Sequence, residues 1–434
     1  MNSAFNRLTA HLREPLYRNG YALVFSSVVN SGLGMIYWIL AAQNYPTEII
    51  GINSAIISTV SFLAYISQLN LTNVLNRFLP AAGRASRQVV GYSHLLSLVV
   101  TMLSTLIFVL TINFWAPDLG FLGSTFSFAL WFIVAAMVWN IFTLQDSALV
   151  GLRKAVWVPV KNLFFTLAKI GFLIFFVKIF PNYGVFASWN VAVVITIFPT
   201  LFFIFRTLIP QHNQDTFTRE RKINLSLISK YLAGDYFGSL ISQAVNSLLP
   251  IIIIAQINAS ANAYYYMASS ISYMLYLVSR NMGMSLVAEA AHNEEKLKEY
   301  AFRIFIQTGR ILAPLVLLIT LGAPYLLRLF GKSYEVEGMI LLRLLSLSAL
   351  PNMIVALYTS IVRVQERIPQ LFASLAVPYL LILTFSYLLM KPMGVIGVGM
   401  AWLLGQSIVA AYLLLTQFRT AWWKSFAKSL RKER

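Results

Sequence analysis

Lys169 stands near the middle of an apolar run, 157–179, with no short route to water. A charge inside a bilayer costs roughly 2.5–3.5 kcal/mol on insertion scales, so its retention needs a reason. Lys161 lies eight residues earlier in the same run, about 80° around a helix. In a later run, 302–324, Arg303, Gln307 and Arg310 follow i, i+4, i+7 and form one polar stripe. Lys169, Arg310 and Lys161 read as the cations of a cavity that would offset the desolvation of an anionic substrate. The competing reading lets Lys161, Arg303 and Arg343 snorkel to an interface. Snorkelling is preferred for Arg303 and Arg343, and function for Lys169 and Arg310. Asp235, near the start of 228–256, fits either ion coupling or pairing with a neighbouring Lys or Arg.

Amides add candidates. Asn70, Asn73 and Arg77 share a face at the end of the run 49–69, and Gln243 and Asn246 follow Asp235 along its helix. Asn73, Arg77, Gln243, Asn246 and Gln307 join Asp235 as possible substrate or coupling contacts, although interhelical hydrogen bonding accounts for most membrane amides. Pro250, Pro314 and Pro378 interrupt three apolar runs, and a proline removes a helical bond, which suits a moving gate. Tyr264, Tyr265 and Tyr266 open another run. An interfacial aromatic belt explains them more simply than sugar stacking does.

Other chemistries find no candidates. The four histidines (His11, His94, His212 and His292) lie in polar segments or at their edges, no acidic pair faces another within a helix, and no Gly-rich phosphate loop is present. No catalytic residue, metal site or cofactor is expected, so the chain reads as a transporter rather than an enzyme. A membrane-bound glycan polymerase or acyltransferase is disfavoured by short outer loops and the lack of an intramembrane histidine. Cysteine is absent, which excludes disulfides and thiolate metal sites.

The elements that position these residues follow from composition. The 434 residues are 58% hydrophobic and only 11% charged, against about a quarter charged in soluble domains. Apolar blocks of about twenty residues recur, each able to cross a hydrocarbon core of about 30 Å. Twelve spans are predicted: 20–43, 49–69, 90–114, 124–146, 157–179, 183–208, 228–256, 262–286, 302–324, 338–361, 369–390 and 394–416. The first is too long for a signal-peptide core and lacks a convincing cleavage site, so it is read as a retained helix.

Charge tests both the count and the direction. With twelve spans, 25 of the 33 lysines and arginines fall on one side and only Lys178, Arg328, Lys332 and Lys391 on the other. Positive charge marks the cytoplasmic side, so both termini are expected there, in the inner cell membrane. The net charge of +18 then sets topology and meets anionic membrane lipids rather than nucleic acid. The expected organisation is a cytoplasmic segment 1–19, an N-lobe of six helices 20–208, a linker 209–227, a C-lobe of six helices 228–416 and a basic tail 417–434. Val29-Asn30-Ser31 recurs as Val245-Asn246-Ser247, a faint repeat that fits a parallel duplication of six helices.

Three stretches carry a resemblance. They are Gly51 to Gly83, ending Asn73-Val-Leu-Asn-Arg-Phe-Leu-Pro-Ala-Ala-Gly83; Leu326-Leu-Arg-Leu-Phe-Gly-Lys-Ser-Tyr334 with the Leu341 to Pro351 segment after it; and Gly394-Val-Ile-Gly-Val-Gly-Met-Ala-Trp-Leu-Leu-Gly405. The chain resembles the Wzx-like polysaccharide (O-antigen) flippases of the multidrug/oligosaccharidyl-lipid/polysaccharide (MOP, MATE-like) exporter superfamily. That resemblance implies an all-α fold of two six-helix bundles rocking around a central cavity. It implies a substrate too, an undecaprenyl-pyrophosphate-linked oligosaccharide moved from the inner to the outer leaflet for surface polysaccharide, with polymerase machinery as a further partner. The alternative is a cation-coupled MATE-type drug exporter with Asp235 as the coupling site. The drug-exporting branch commonly carries an acidic residue in span 1, and none lies between Gly20 and Ala42 here.

Overall fold

The structure is a computed structural model that describes residues 32–215, 225–290 and 296–417. The segment 1–19, the first half of span 1, residues 216–224 of the linker and nearly all of the basic tail lie outside the described residues. So does the side chain of Asp235.

Every described element is a helix, with no strand among the described residues. The first, α1, covers 32–44. It is followed by α2 (Thr47–Ser67), α3 (Leu71–Phe78), α4 (Ser86–Trp115), α5 (Phe126–Gly151), α6 (Trp157–Phe176) and α7 (Gly184–Phe203). A π-turn, Ile204–Leu208, leads from α7 into α8 (Ile209–Asp215). The chain continues as α9 (Leu225–Gln256), α10 (Ala259–Ala290), α11 (Leu297–Arg328), α12 (Lys332–Leu347), α13 (Ala349–Val364), α14 (Ile368–Met393) and α15 (Val395–Thr416). Among the described residues, each of the twelve predicted spans falls on a helix. Ten stretches are long and apolar enough to cross a membrane. The other two spans are α1, half of which is not described, and α10, which is long enough but rich in Ser, Asn and Tyr.

The distribution of polarity identifies lipid as the solvent. On α4, Ser97, Thr101 and Thr105 are fully buried, while Leu110 is 76% and Phe114 82% exposed. On α6 the inward face carries Lys161, Phe165, Thr166, Lys169 and Leu173, and the outward face carries Val160, Leu163, Phe164, Leu167, Ile174 and Phe175. Water would invert that arrangement; hydrocarbon tolerates it, because lipid chains are as apolar as the side chains they meet. Two of the buried hydroxyls bond back along their own helix, Ser97 Oγ to the His94 carbonyl at 3.0 Å and Thr101 Oγ1 to the Ser97 carbonyl at 2.7 Å, which satisfies them without water.

One predicted span ends on a tight turn and another is broken. Span 2 stops at Ser67, Leu69 and Asn70 take left-handed backbone angles, and the chain restarts as α3. Asparagine tolerates that conformation better than most residues. Span 10 divides at Ser348 into α12 and α13, where Pro351 has no N–H to offer the Leu347 carbonyl. By contrast α9, α11 and α14 run through Pro250, Pro314 and Pro378.

The chain forms two compact units. Among the described residues, one comprises Ile36–Tyr236 with Gln243–Ala263; the other comprises 32–35 and Phe237–Ser242 with 264–417. In the first, α5 is the organising helix. Asn140 Nδ2 donates to the Ala64 carbonyl of α2 at 3.1 Å, and Gln145 Nε2 to the Ile197 carbonyl of α7 at 3.1 Å. In the second, α14 and α15 pack closely through glycines. Gly394 turns the chain at φ +57°, Gly397 rests on the Leu389 carbonyl, and a Cβ at Gly405 would lie 2.8 Å from Ile382 Cγ1.

Candidate functional site

The two lysines of α6 reach different environments. Lys161 is satisfied: its Nζ donates to the Phe142 carbonyl at 2.5 Å, lies 2.6 Å from Asp146 Oδ1 and sits 3.6 Å from the Phe142 ring centre. Asp146 was not among the candidates read from the sequence. It stands five residues before the end of α5, and Lys161 four residues after the start of α6, so consecutive antiparallel helices bring them to the same depth. An acid and a base at matching distances from one inter-helix loop was the available signal.

Lys169 lies about 12 Å further along α6 at 1.5 Å per residue. It is 8% exposed, and no hydrogen bond or ion pair engages it among the described residues. Its Nζ faces the rings of Tyr37, at 4.5 Å, and Phe165, at 5.1 Å. The Tyr37 ring is held in turn from α7, where its hydroxyl donates to the Val185 carbonyl at 2.8 Å and meets Ser188 Oγ at 3.0 Å. Aromatic rings stabilise a cation by about 0.5–2 kcal/mol, whereas the effective cost of burying an ion is several kcal/mol. Lys169 therefore sits at a deficit that an anion beside it would remove.

Aromatic side chains surround this face of the first unit. Phe165 packs 4.9 Å from Phe142 and 6.1 Å from Trp139, and Trp139 packs 4.6 Å from Trp189. The combination of a buried cation and flat rings suits a ligand with both anionic and ring-shaped parts.

The remaining candidates are placed elsewhere. Asn73 Nδ2 donates to Asn70 Oδ1 at 2.6 Å, and Arg77 is exposed on α3. Gln243 Nε2 donates to Ser247 Oγ at 3.2 Å one turn along α9, and Asn246 is exposed beyond it. On α11, Arg303 pairs with Glu299 at 2.9 Å, Gln307 is half-buried and Arg310 is exposed. Lys169 and Arg310, alike in sequence, thus differ in burial and belong to different units. Arg343 Nε donates to the Thr320 carbonyl at 3.1 Å.

No protein-family model matches the sequence, and no curated protein does. Solved structures match in shape. An inward-facing structure of a multidrug-resistance MATE-family transporter of the MOP superfamily aligns with a TM-score of 0.67 at 15% identity, over 93% of this chain and 95% of that one. A mutant Vibrio cholerae MATE transporter aligns at 0.65 with 15% identity, over 98% of each chain. A MOP-superfamily transporter from Pyrococcus furiosus, for which a reversed polarity of the binding pocket suggests a different function, aligns at 0.65 with 14% identity, over 93% and 95%. At such identity the likeness is one of fold: this chain is a multi-pass helical membrane protein with the fold of MATE-type, MOP-superfamily transporters.

Proposed function

We propose that the protein is a transporter that moves an undecaprenyl-pyrophosphate-linked oligosaccharide from the inner to the outer leaflet of the cell membrane by alternating access. Its termini would be cytoplasmic and its lobes would divide at 209–227. The observation that carries this reading is Lys169, an ammonium buried among aromatic rings with no counter-ion among the described residues. A pyrophosphate would supply the missing negative charge, and Trp139, the partly exposed ring of this group, offers a stacking surface for a sugar. Arg310 and Lys161 are the further cations of the proposal. Asp235, Arg77, Asn73, Gln243, Asn246 and Gln307 remain candidates for secondary substrate or coupling contacts. With the cytoplasm negative, each negative charge carried outward gains about 2.3 kcal/mol per 100 mV, so the substrate supplies part of its own driving force.

A cation-coupled drug exporter is the second reading, favoured by the likeness of fold to multidrug-resistance transporters. One proteoliposome experiment separates the two. The full chain would be reconstituted with a fluorescent undecaprenyl-pyrophosphate-linked sugar and, in parallel, with ethidium under an imposed ion gradient. Flipping of the lipid-linked sugar without ethidium movement is the expected result; ethidium transport without flipping would replace the first reading by the second.

A further inference from the structure

Asp146 and Lys161 form a pair whose members differ in access. The Lys161 side chain is 3% exposed and the Asp146 side chain 32%. An approaching anion meets the carboxylate first, and the ammonium becomes available to it only when the carboxylate gives way. We infer that Asp146 is a displaceable counter-ion: an anionic substrate takes its place on Lys161, and the released carboxylate then binds one proton from water. The inference rests on the anionic-substrate reading above.

The physical reason is the cost of a stranded charge. Removing one partner from a buried pair is strongly destabilising, because the other charge is left uncompensated. Lys161 avoids that cost by exchanging one anion for another, with the Phe142 carbonyl and ring still in place. Among the described residues Asp146 has no second partner to turn to. Its helix packs against α2, α3, α4, α6 and α7, and of the titratable groups on these elements only Lys161 touches it. His94 on α4 directs Nδ1 to the Val90 carbonyl at 2.8 Å instead. The cheapest response of the freed carboxylate is to become neutral. Substrate binding and proton uptake are thereby joined in one element, and Lys169, deeper on the same helix, needs no such exchange.

The test is calorimetric titration of the purified full-length protein with farnesyl pyrophosphate, in buffers of different ionisation enthalpy. Comparison between variants isolates Asp146, since the probe's own ionisation is common to all. Wild type should take up about one proton more per bound probe than Asp146→Asn, and its affinity should rise towards tenfold per unit fall in pH, by linkage. Asp146→Asn should bind more tightly than wild type at neutral pH and lose that extra slope. Should Asp146→Asn fold poorly, Asp146→Ser, smaller and likewise unable to ionise, keeps Lys161 for the probe, and it too should lack the extra proton. Equal proton uptake in wild type and both variants, with binding intact, overturns this inference alone. No binding of the probe by wild type overturns the anionic-substrate reading and this inference with it.

Discussion

The ammonium of Lys169 lies 4.5 Å from the ring centre of Tyr37, and that ring is fixed by hydrogen bonds from its hydroxyl to α7. The cation is held in place without being neutralised. Removing the ring and removing the hydroxyl should therefore have different consequences. Tyr37→Leu discards about 0.5–2 kcal/mol of cation–π stabilisation and should lower glycan export well below wild type. Tyr37→Phe keeps the face of the ring and should export closer to wild type. Surface polysaccharide, normalised to membrane protein level, makes the comparison; Tyr37→Leu exporting as well as Tyr37→Phe would detach the ring from the function.

Helix packing supplies a second prediction. Gly397 lies against the Leu389 backbone carbonyl, which cannot swing aside as a side chain can. Gly397→Ala should lower the detergent Tm clearly, at a cost of about 1–3 kcal/mol for overpacking. Gly171→Ala on α6 meets nothing within 4 Å and should hold or raise the Tm. Equal behaviour of the two would mean that α14 and α15 do not pack as described.

Topology gives a third. Reporter fusions after Asn44, Asn258 and Lys332 should report an extracytoplasmic location, and those after Arg87, Asp215 and Lys424 a cytoplasmic one. The motive is the division of Lys and Arg between the two sides of twelve spans. One fusion on the wrong side breaks the arrangement.

Asp235 supplies a fourth prediction. Asp235→Asn should leave substantial export, since the membrane potential alone favours outward movement of an anion. Complete loss at normal protein level would instead favour the ion-coupled exporter.

Which features were legible in the sequence follows from their physics. Span positions were, because a hydrocarbon slab imposes one length on every crossing helix and the apolar runs display it. The breaks at Asn70 and Ser348 were not. The first depends on two left-handed backbone angles, and the second falls in a stretch whose apolar pattern continues through Pro351. Lys169 stood out because a mid-span charge is rare whatever surrounds it. Asp146 did not, because it lies near a span end, where an acid usually reaches water, and its partner follows a loop later. Arg310 looked equivalent to Lys169 on depth alone; its exposure depends on which side of α11 is covered, and that is a property of packing.

The most direct measurement is export by Lys169 variants in a deletion strain, read as surface polysaccharide per unit of membrane protein. Lys169→Ala should abolish export while the protein stays in the membrane, since losing an intramembrane cation need not harm insertion. Lys169→Glu should be no better, through repulsion of the phosphates. Lys169→Arg should retain part of the activity, since charge is kept while shape is not. Wild-type export by both Lys169→Ala and Lys169→Glu would show that the buried ammonium is structural, and would contradict the anionic-substrate mechanism.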